Sequence, residues 1–150
     1  MPNKRTHKVV GAVAGGSFAL VWSAGQPAVH RTVETAGGVL AGVGLGMLPD
    51  VLEPAIHPGH RSVAHGAAPA VTLGVPASRH LDSWQVSLRA GADRQGALAM
   101  QSQSTLARLW HAFLELLLRL AAGALAGALG GYGSHLVLDA FTPRSLPLIA

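Results

Sequence analysis

Residues able to bind a cation or move a proton are concentrated in segment 50–65 of a chain that is otherwise poor in charge. They are Asp50, Glu53, His57, His60 and His65. The two carboxylates, three positions apart, share a face if their turn is helical, and the histidines add nitrogen ligands suited to zinc, manganese or iron. His57 is the weakest member, because its apolar and proline neighbours are typical of an ordinary loop. The segment predicts part of a metal site; the alternative is a solvated loop in which Asp50 caps a helix.

Arg61 lies in the same segment and has two candidate roles. It could pair with Asp50 or Glu53, or it could stabilise negative charge on a phosphate or carboxylate oxygen of a substrate. In a hydrolytic site Arg61 would take the second role, and Glu53 would be the general base.

A second group of reactive side chains follows the longest apolar stretch. His135 and Asp139 are four positions apart, so one helical face presents an imidazole and a carboxylate to the same point. This spacing suits two metal ligands, and the alternative is a structural hydrogen bond between the two side chains. Ser134 is a poor nucleophile candidate, because adjacent helical residues point in different directions.

His7 precedes the first apolar stretch and is a further candidate ligand if its face of the helix is turned inward. The remaining histidines, His30, His80 and His111, have no acidic or histidine partner nearby in sequence. We expect them to be surface or interface groups.

The composition favours a helical protein in contact with lipid. Only 12% of the residues are charged, roughly half of the ~25% usual for soluble domains. The formal charge is +4, yet basic residues are scattered and only 5% of residues are aromatic, so no nucleic-acid partner is predicted. A basic, apolar chain fits contact with membrane lipid head groups. Cysteine is absent, so any metal must use His and carboxylate ligands.

Four apolar stretches predict an all-α fold, a small membrane-associated bundle formed by residues 1–150 as one domain. They are Val9–Ala24, Ala36–Leu48, Val63–Ala77 and Leu109–Leu129. Between the third and fourth lies a polar loop, or alternatively a surface helix, over Ser78–Arg108. Glu115 and Arg119, i and i+4, form either a surface salt bridge or an interior pair. We expect the first stretch to be retained as a helix rather than cleaved as a signal peptide.

An antiparallel arrangement of four helices would bring the candidate ligands to one end of the bundle. His7 begins the first helix, segment 50–65 joins the second to the third, and His135 with Asp139 follows the fourth. Alternation of chain direction therefore predicts a composite metal site at that end.

These residues together resemble the LexA-binding, inner-membrane-associated hydrolases, a family of membrane-bound metal-dependent hydrolases. The similarity is carried by motifs along the whole chain: Thr6-His7, Leu48-Pro49-Asp50, His60-Arg61-x-x-x-His65 and Gly131-Tyr132-x-Ser134-His135-x-x-x-Asp139-x-x-Thr142-Pro143. The resemblance implies a helical enzyme of the inner membrane whose metal is held by these His and acidic positions. Members commonly read Leu-Pro-Asp-x-Asp-His-Pro where this chain has Leu52 and Glu53, and Ser where it has Gly66.

We therefore expect a hydrolase that binds one or two divalent ions, with zinc as the expected metal. Its substrate would be a small molecule or lipid-like compound such as a phosphoester. The expected ligands are His7, Asp50, Glu53, His60, His65, His135 and Asp139. The alternative is a non-catalytic membrane bundle whose polar cluster holds a structural metal or binds a partner. A proton or ion pathway ranks last, because the reactive groups concentrate at one end of the apolar layer. The sequence does not specify an oligomeric state.

Overall fold

The computed structural model describes residues 4–53 and 70–141, and this part of the chain is helical without strands. Its elements are α1 (Lys4–Trp22), α2 (Ala28–Leu45), the short α3 (Leu48–Leu52), a π-helical turn (Ala70–Gly74), α4 (Val75–Gln101) and α5 (Thr105–Ala140). The four long helices form an all-α bundle, which confirms the predicted fold class.

Close backbone contacts, most of them between glycines, establish the direction of the helices. Along α2 and α5 the pairs Glu34/Gly123, Gly38/Gly127 and Gly42/Gly131 advance by four residues on both helices, so these two helices run parallel. Gly11 of α1 lies against Gly42, and Gly15 lies against Gly38, so α1 runs antiparallel to α2. The start of α1, the end of α2 and the end of α5 therefore lie at the same end of the bundle, as predicted.

The polar segment between the third and fourth apolar stretches is helical. Helix α4 covers Val75–Gln101, so the surface-helix alternative holds and the polar loop is reduced to the short link before α5. The reason is a buried stripe of Leu81, Gln85, Ala92 and Ala99, whose spacing places all four side chains on one helical face. The first part of the predicted third stretch, residues 63–69, lies outside the described residues, and the remainder forms the π-helical turn and the first residues of α4.

Helices α1, α2 and α5 approach so closely that their backbones touch at glycines. A Cβ atom on Gly131 would lie 2.6 Å from the carbonyl oxygen of Gly42 and 2.7 Å from its Cα. Both contacts are with backbone, which cannot rotate away as a side chain can. The small residues thus hold the end of α5 against α2 and place the side chains that follow them.

Helix α4 is attached by ion pairs among five residues that we call the distal ionic cluster: Glu34, Arg89, Asp93, Glu115 and Arg119. Glu34 and Arg119 are buried, whereas Asp93 is exposed. Arg89 donates through Nε and Nη2 to the carboxylate of the fully buried Glu34, the shortest bond being 2.6 Å. Arg119 donates to Asp93 at 2.7 Å and to Glu115 at 3.0 Å. Arg119 is buried and Glu115 is partly exposed, so the Glu115–Arg119 pair lies at the edge of the interior and not on the open surface. Ionisable groups are thus present away from the predicted site end as well.

Two segments, Ala28–Leu52 and Thr105–Ala140, are long and apolar enough to cross a membrane. Their large apolar side chains are mostly turned outward, as shown by Leu40, Val51, Leu109 and Val137, each more than half exposed. In water such a surface would be unfavourable, whereas hydrocarbon accommodates it.

Candidate metal centre

His135 and Asp139, on the last turns of α5, form the base of the candidate site. Both are fully buried, and His135 Nε2 lies 3.5 Å from Asp139 Oδ2. The i, i+4 spacing therefore does direct both side chains to one point, as the sequence predicted.

His7 reaches the same carboxylate from the first turns of α1. Its Nε2 lies 3.8 Å from Asp139 Oδ1, and its ring stacks on that of His135 with centroids 4.1 Å apart. His7 is also buried. We call these three residues the histidine–aspartate cluster.

A backbone carbonyl fixes the orientation of His135. Its Nδ1 lies 2.8 Å from the carbonyl oxygen of Gly46, the residue that ends α2. A carbonyl can only accept, so Nδ1 carries the proton and donates. In a neutral imidazole, Nε2 then holds a lone pair directed towards Asp139, which is how histidine ligands are commonly oriented.

The cluster fits the geometry of a small divalent ion. One ligand atom from each of the three residues lies within 4.8 Å of the other two, and two of the imidazole–carboxylate distances are 3.5 and 3.8 Å. Ligands about 2.0–2.1 Å from a tetrahedral zinc ion are separated by ~3.4 Å. A buried His7, His135 and Asp139 group could therefore hold a metal ion after small side-chain adjustments.

The other predicted ligands divide into two sets. Asp50 and Glu53 are half-buried, on α3 and at its C-terminal cap, and the Asp50 carboxylate is near enough to His135 to interact with it electrostatically. Glu53 is near enough to Tyr132 of α5 to interact with it electrostatically, and neither carboxylate is among the three grouped ligands. The predicted ligands His60 and His65 lie outside the described residues, as do His57 and Arg61 of the same segment.

Sequence reasoning missed Gly46. This glycine also lets α1 and α2 approach each other, because a Cβ atom on Gly46 would lie 3.1 Å from the Gly11 Cα and 3.1 Å from the His7 carbonyl oxygen. The carbonyl role of Gly46 depends on backbone position rather than on residue type, so no pattern could have indicated it.

The three histidines expected at surfaces or interfaces lie away from the cluster. His30 Nε2 is 3.6 Å from Glu115, His111 Nδ1 is 2.7 Å from the Gln95 side-chain oxygen, and the exposed His80 stacks on Trp84. The partners of His30 and His111 could not be predicted from the sequence because they come from another helix, whereas Trp84 follows His80 by four residues on α4.

Comparisons with known proteins do not assign a family to this chain. No protein-family model, no curated protein and no solved structure matches this chain.

Proposed function

We propose that this protein is a metal-dependent hydrolase of the inner membrane that binds a divalent ion, zinc in the first instance, at His7, His135 and Asp139. The observation that carries the proposal is the His135 hydrogen bond to Gly46, which directs Nε2 towards a buried carboxylate 3.5 Å away. Two acceptors at that distance repel each other unless a cation or a proton lies between them.

A bound ion would lower the pKa of a coordinated water towards ~7 and polarise the scissile bond. Three protein ligands leave room for that water, as in catalytic zinc sites. Glu53, half-buried at the same end of the bundle, is our candidate for the general base, and Arg61 for the group that stabilises oxyanion charge. This chemistry suits a phosphoester or lipid-like substrate, and it agrees with the family resemblance of the motifs.

The membrane location is supported by the apolar exterior of α2 and α5. Their exposed leucine and valine side chains form a surface suited to acyl chains. A substrate dissolved in the bilayer would reach the cluster without crossing bulk water.

The test uses the full chain purified in mild detergent without chelators. We expect a bound divalent ion by elemental analysis, and hydrolysis of a panel of aryl phosphoesters and short-chain phospholipids that stops with chelator and returns with zinc. Asp139→Asn should lose both metal and activity, whereas His80→Ala, an exposed histidine on α4, should retain both. A folded Asp139→Asn protein with undiminished metal would refute the assignment.

Glu53→Gln separates the two roles considered for that carboxylate. As general base, its loss should lower turnover by about 10²–10⁴-fold with the metal content unchanged. Loss of metal together with activity would instead make Glu53 a ligand.

A second candidate is a non-catalytic bundle with a structural metal. Burial of all three cluster residues favours it, because structural zinc sites are closed while catalytic sites keep an open position. Stoichiometric metal in a four-ligand shell of protein atoms, with no hydrolysis of any substrate, would support this alternative over the enzyme.

A further inference from the structure

A cavity of about 630 Å³ opens between the end of α1 and the first turns of α2. It is lined by Leu20, Gln26, Ala28, Arg31, Thr32 and Thr35. Leu20 is thirteen residues along α1 from His7, which places the cavity roughly 20 Å from the histidine–aspartate cluster along the helix axis. It is therefore a separate site.

Arg31 is the charged residue of this cavity, and its charge is not neutralised within the described part of the chain. Its Nε is buried without a hydrogen-bond partner there, and no ion pair to Arg31 occurs among residues 4–53 and 70–141. Arg89 and Arg119, by contrast, both bind carboxylates. A partly enclosed guanidinium with spare donors is suited to an anion supplied from outside the chain.

The remaining polar groups also favour an anion. The hydroxyls of Thr32 and Thr35 donate to the carbonyl oxygens of Ala28 and Arg31, at 2.9 and 2.8 Å. The donors left for a ligand are the guanidinium and the Gln26 amide. No carboxylate is among the described lining residues, so nothing there repels a phosphate.

An apolar strip leads away from the cavity along α1 and α2. Val39 follows Thr35 by one turn of α2, and its side chain lies next to Gly16 of α1. Val13 lies seven residues before Leu20, on the same face of α1. Val13 and Val39 are exposed. A polar pocket that continues into an apolar strip matches a molecule with an anionic head and a hydrocarbon tail.

We propose that this cavity binds the phosphate of an anionic phospholipid, with Arg31 as its ion-pair partner and an acyl chain along the strip formed by Val13 and Val39. Trp22, partly exposed at the end of α1, lies where aromatic residues favour the membrane–water interface. The site would anchor the bundle at the end opposite the histidine–aspartate cluster and does not depend on hydrolysis.

The test compares lipid binding by the full chain with binding by two single-charge variants. Phosphatidylglycerol is titrated into the detergent-solubilised protein and its affinity is measured from the rise in Tm; phosphatidylcholine and inorganic phosphate are the comparison ligands. We expect the wild type to prefer phosphatidylglycerol and Arg31→Gln to bind it about tenfold more weakly. Arg79→Gln, which removes an exposed arginine from α4, should bind as the wild type does.

Several outcomes would overturn the proposal. Equal weakening in Arg31→Gln and Arg79→Gln would show general charge attraction, and equal stabilisation by inorganic phosphate would show an ion site rather than a lipid site. If Arg31→Gln fails to fold, Arg31→Lys replaces it: the retained charge but lost fork geometry should weaken phosphatidylglycerol binding severalfold. Unchanged affinity in a folded variant of either kind would contradict the assignment.

Discussion

Two groups of ionisable side chains, each with a fully buried carboxylate, neutralise that carboxylate differently in this protein. In the distal ionic cluster each carboxylate meets an arginine, as in the bond of Arg89 to Glu34. In the histidine–aspartate cluster the Asp139 carboxylate meets two imidazoles. Arginine stays charged and only donates, so the carboxylates of the distal cluster are neutralised without a metal ion. Imidazoles can offer lone pairs, so the other cluster is suited to accept a cation. Burial alone therefore does not indicate a functional site; the type of basic partner does.

The largest effect should come from breaking the distal ionic cluster. Arg89→Ala leaves the fully buried Glu34 without its partner, which we expect to lower the free energy of unfolding by about 3–5 kcal/mol. Denaturant unfolding in detergent measures this, with the exposed Arg94→Ala as control. The variant Arg89→Leu combined with Glu34→Leu should recover much of the loss, because no buried charge remains. If Arg89→Ala and Arg94→Ala unfold alike, the pair does not hold α4.

Removal of metal by a chelator should lower stability through the histidine–aspartate cluster and not through the distal ionic cluster. Removing a divalent ion present at about a hundred times its Kd should lower the free energy of unfolding of the wild type by roughly 2.7 kcal/mol. Asp139→Asn should show no response to chelator, while a distal substitution such as Asp93→Asn should keep the full response. Thermal unfolding with and without chelator makes the comparison, and identical responses in the wild type and Asp139→Asn would contradict it.

The glycine contacts that position His135 can be tested with a matched pair on α5. Gly131→Ala would push a Cβ against the backbone of Gly42 and should cost about 1–3 kcal/mol, with weaker metal binding. Gly133→Ala meets no atom within 4 Å and should be neutral or slightly stabilising, since alanine favours helix. The free energy of unfolding and the metal affinity are measured for both variants. Equal values in Gly131→Ala and Gly133→Ala would mean that close helix packing does not position the metal ligands.

The smallest effect is expected for His30→Ala. His30 lies 3.6 Å from Glu115 and is partly exposed, so the distal cluster should lose less than about 1 kcal/mol. Metal content should not change. A large loss of stability would show that a histidine, and not arginine alone, neutralises this region.

The sequence was informative where the chemistry is local or follows from topology. His135 and Asp139 could be paired from their spacing, and His7 could be placed beside them from the alternation of helices. The pairing of Glu34 with Arg89 could not be predicted, because the residues are 55 positions apart and neither stands in a recognisable motif. Helix α4 was harder to recognise, because its buried stripe combines Leu81 with two alanines and the polar Gln85, which donates to the Ala122 carbonyl oxygen.

X-ray absorption at the zinc edge of the purified full chain tests the central claim most directly. We predict close to one bound ion per chain with nitrogen and oxygen neighbours at about 2.0–2.1 Å, an imidazole signal that diminishes in His7→Ala and His135→Ala, and no change in His80→Ala. A folded protein that binds no metal, or a metal shell unchanged in both cluster variants, would contradict the account and leave an imidazolium–carboxylate pair in the place of the metal centre.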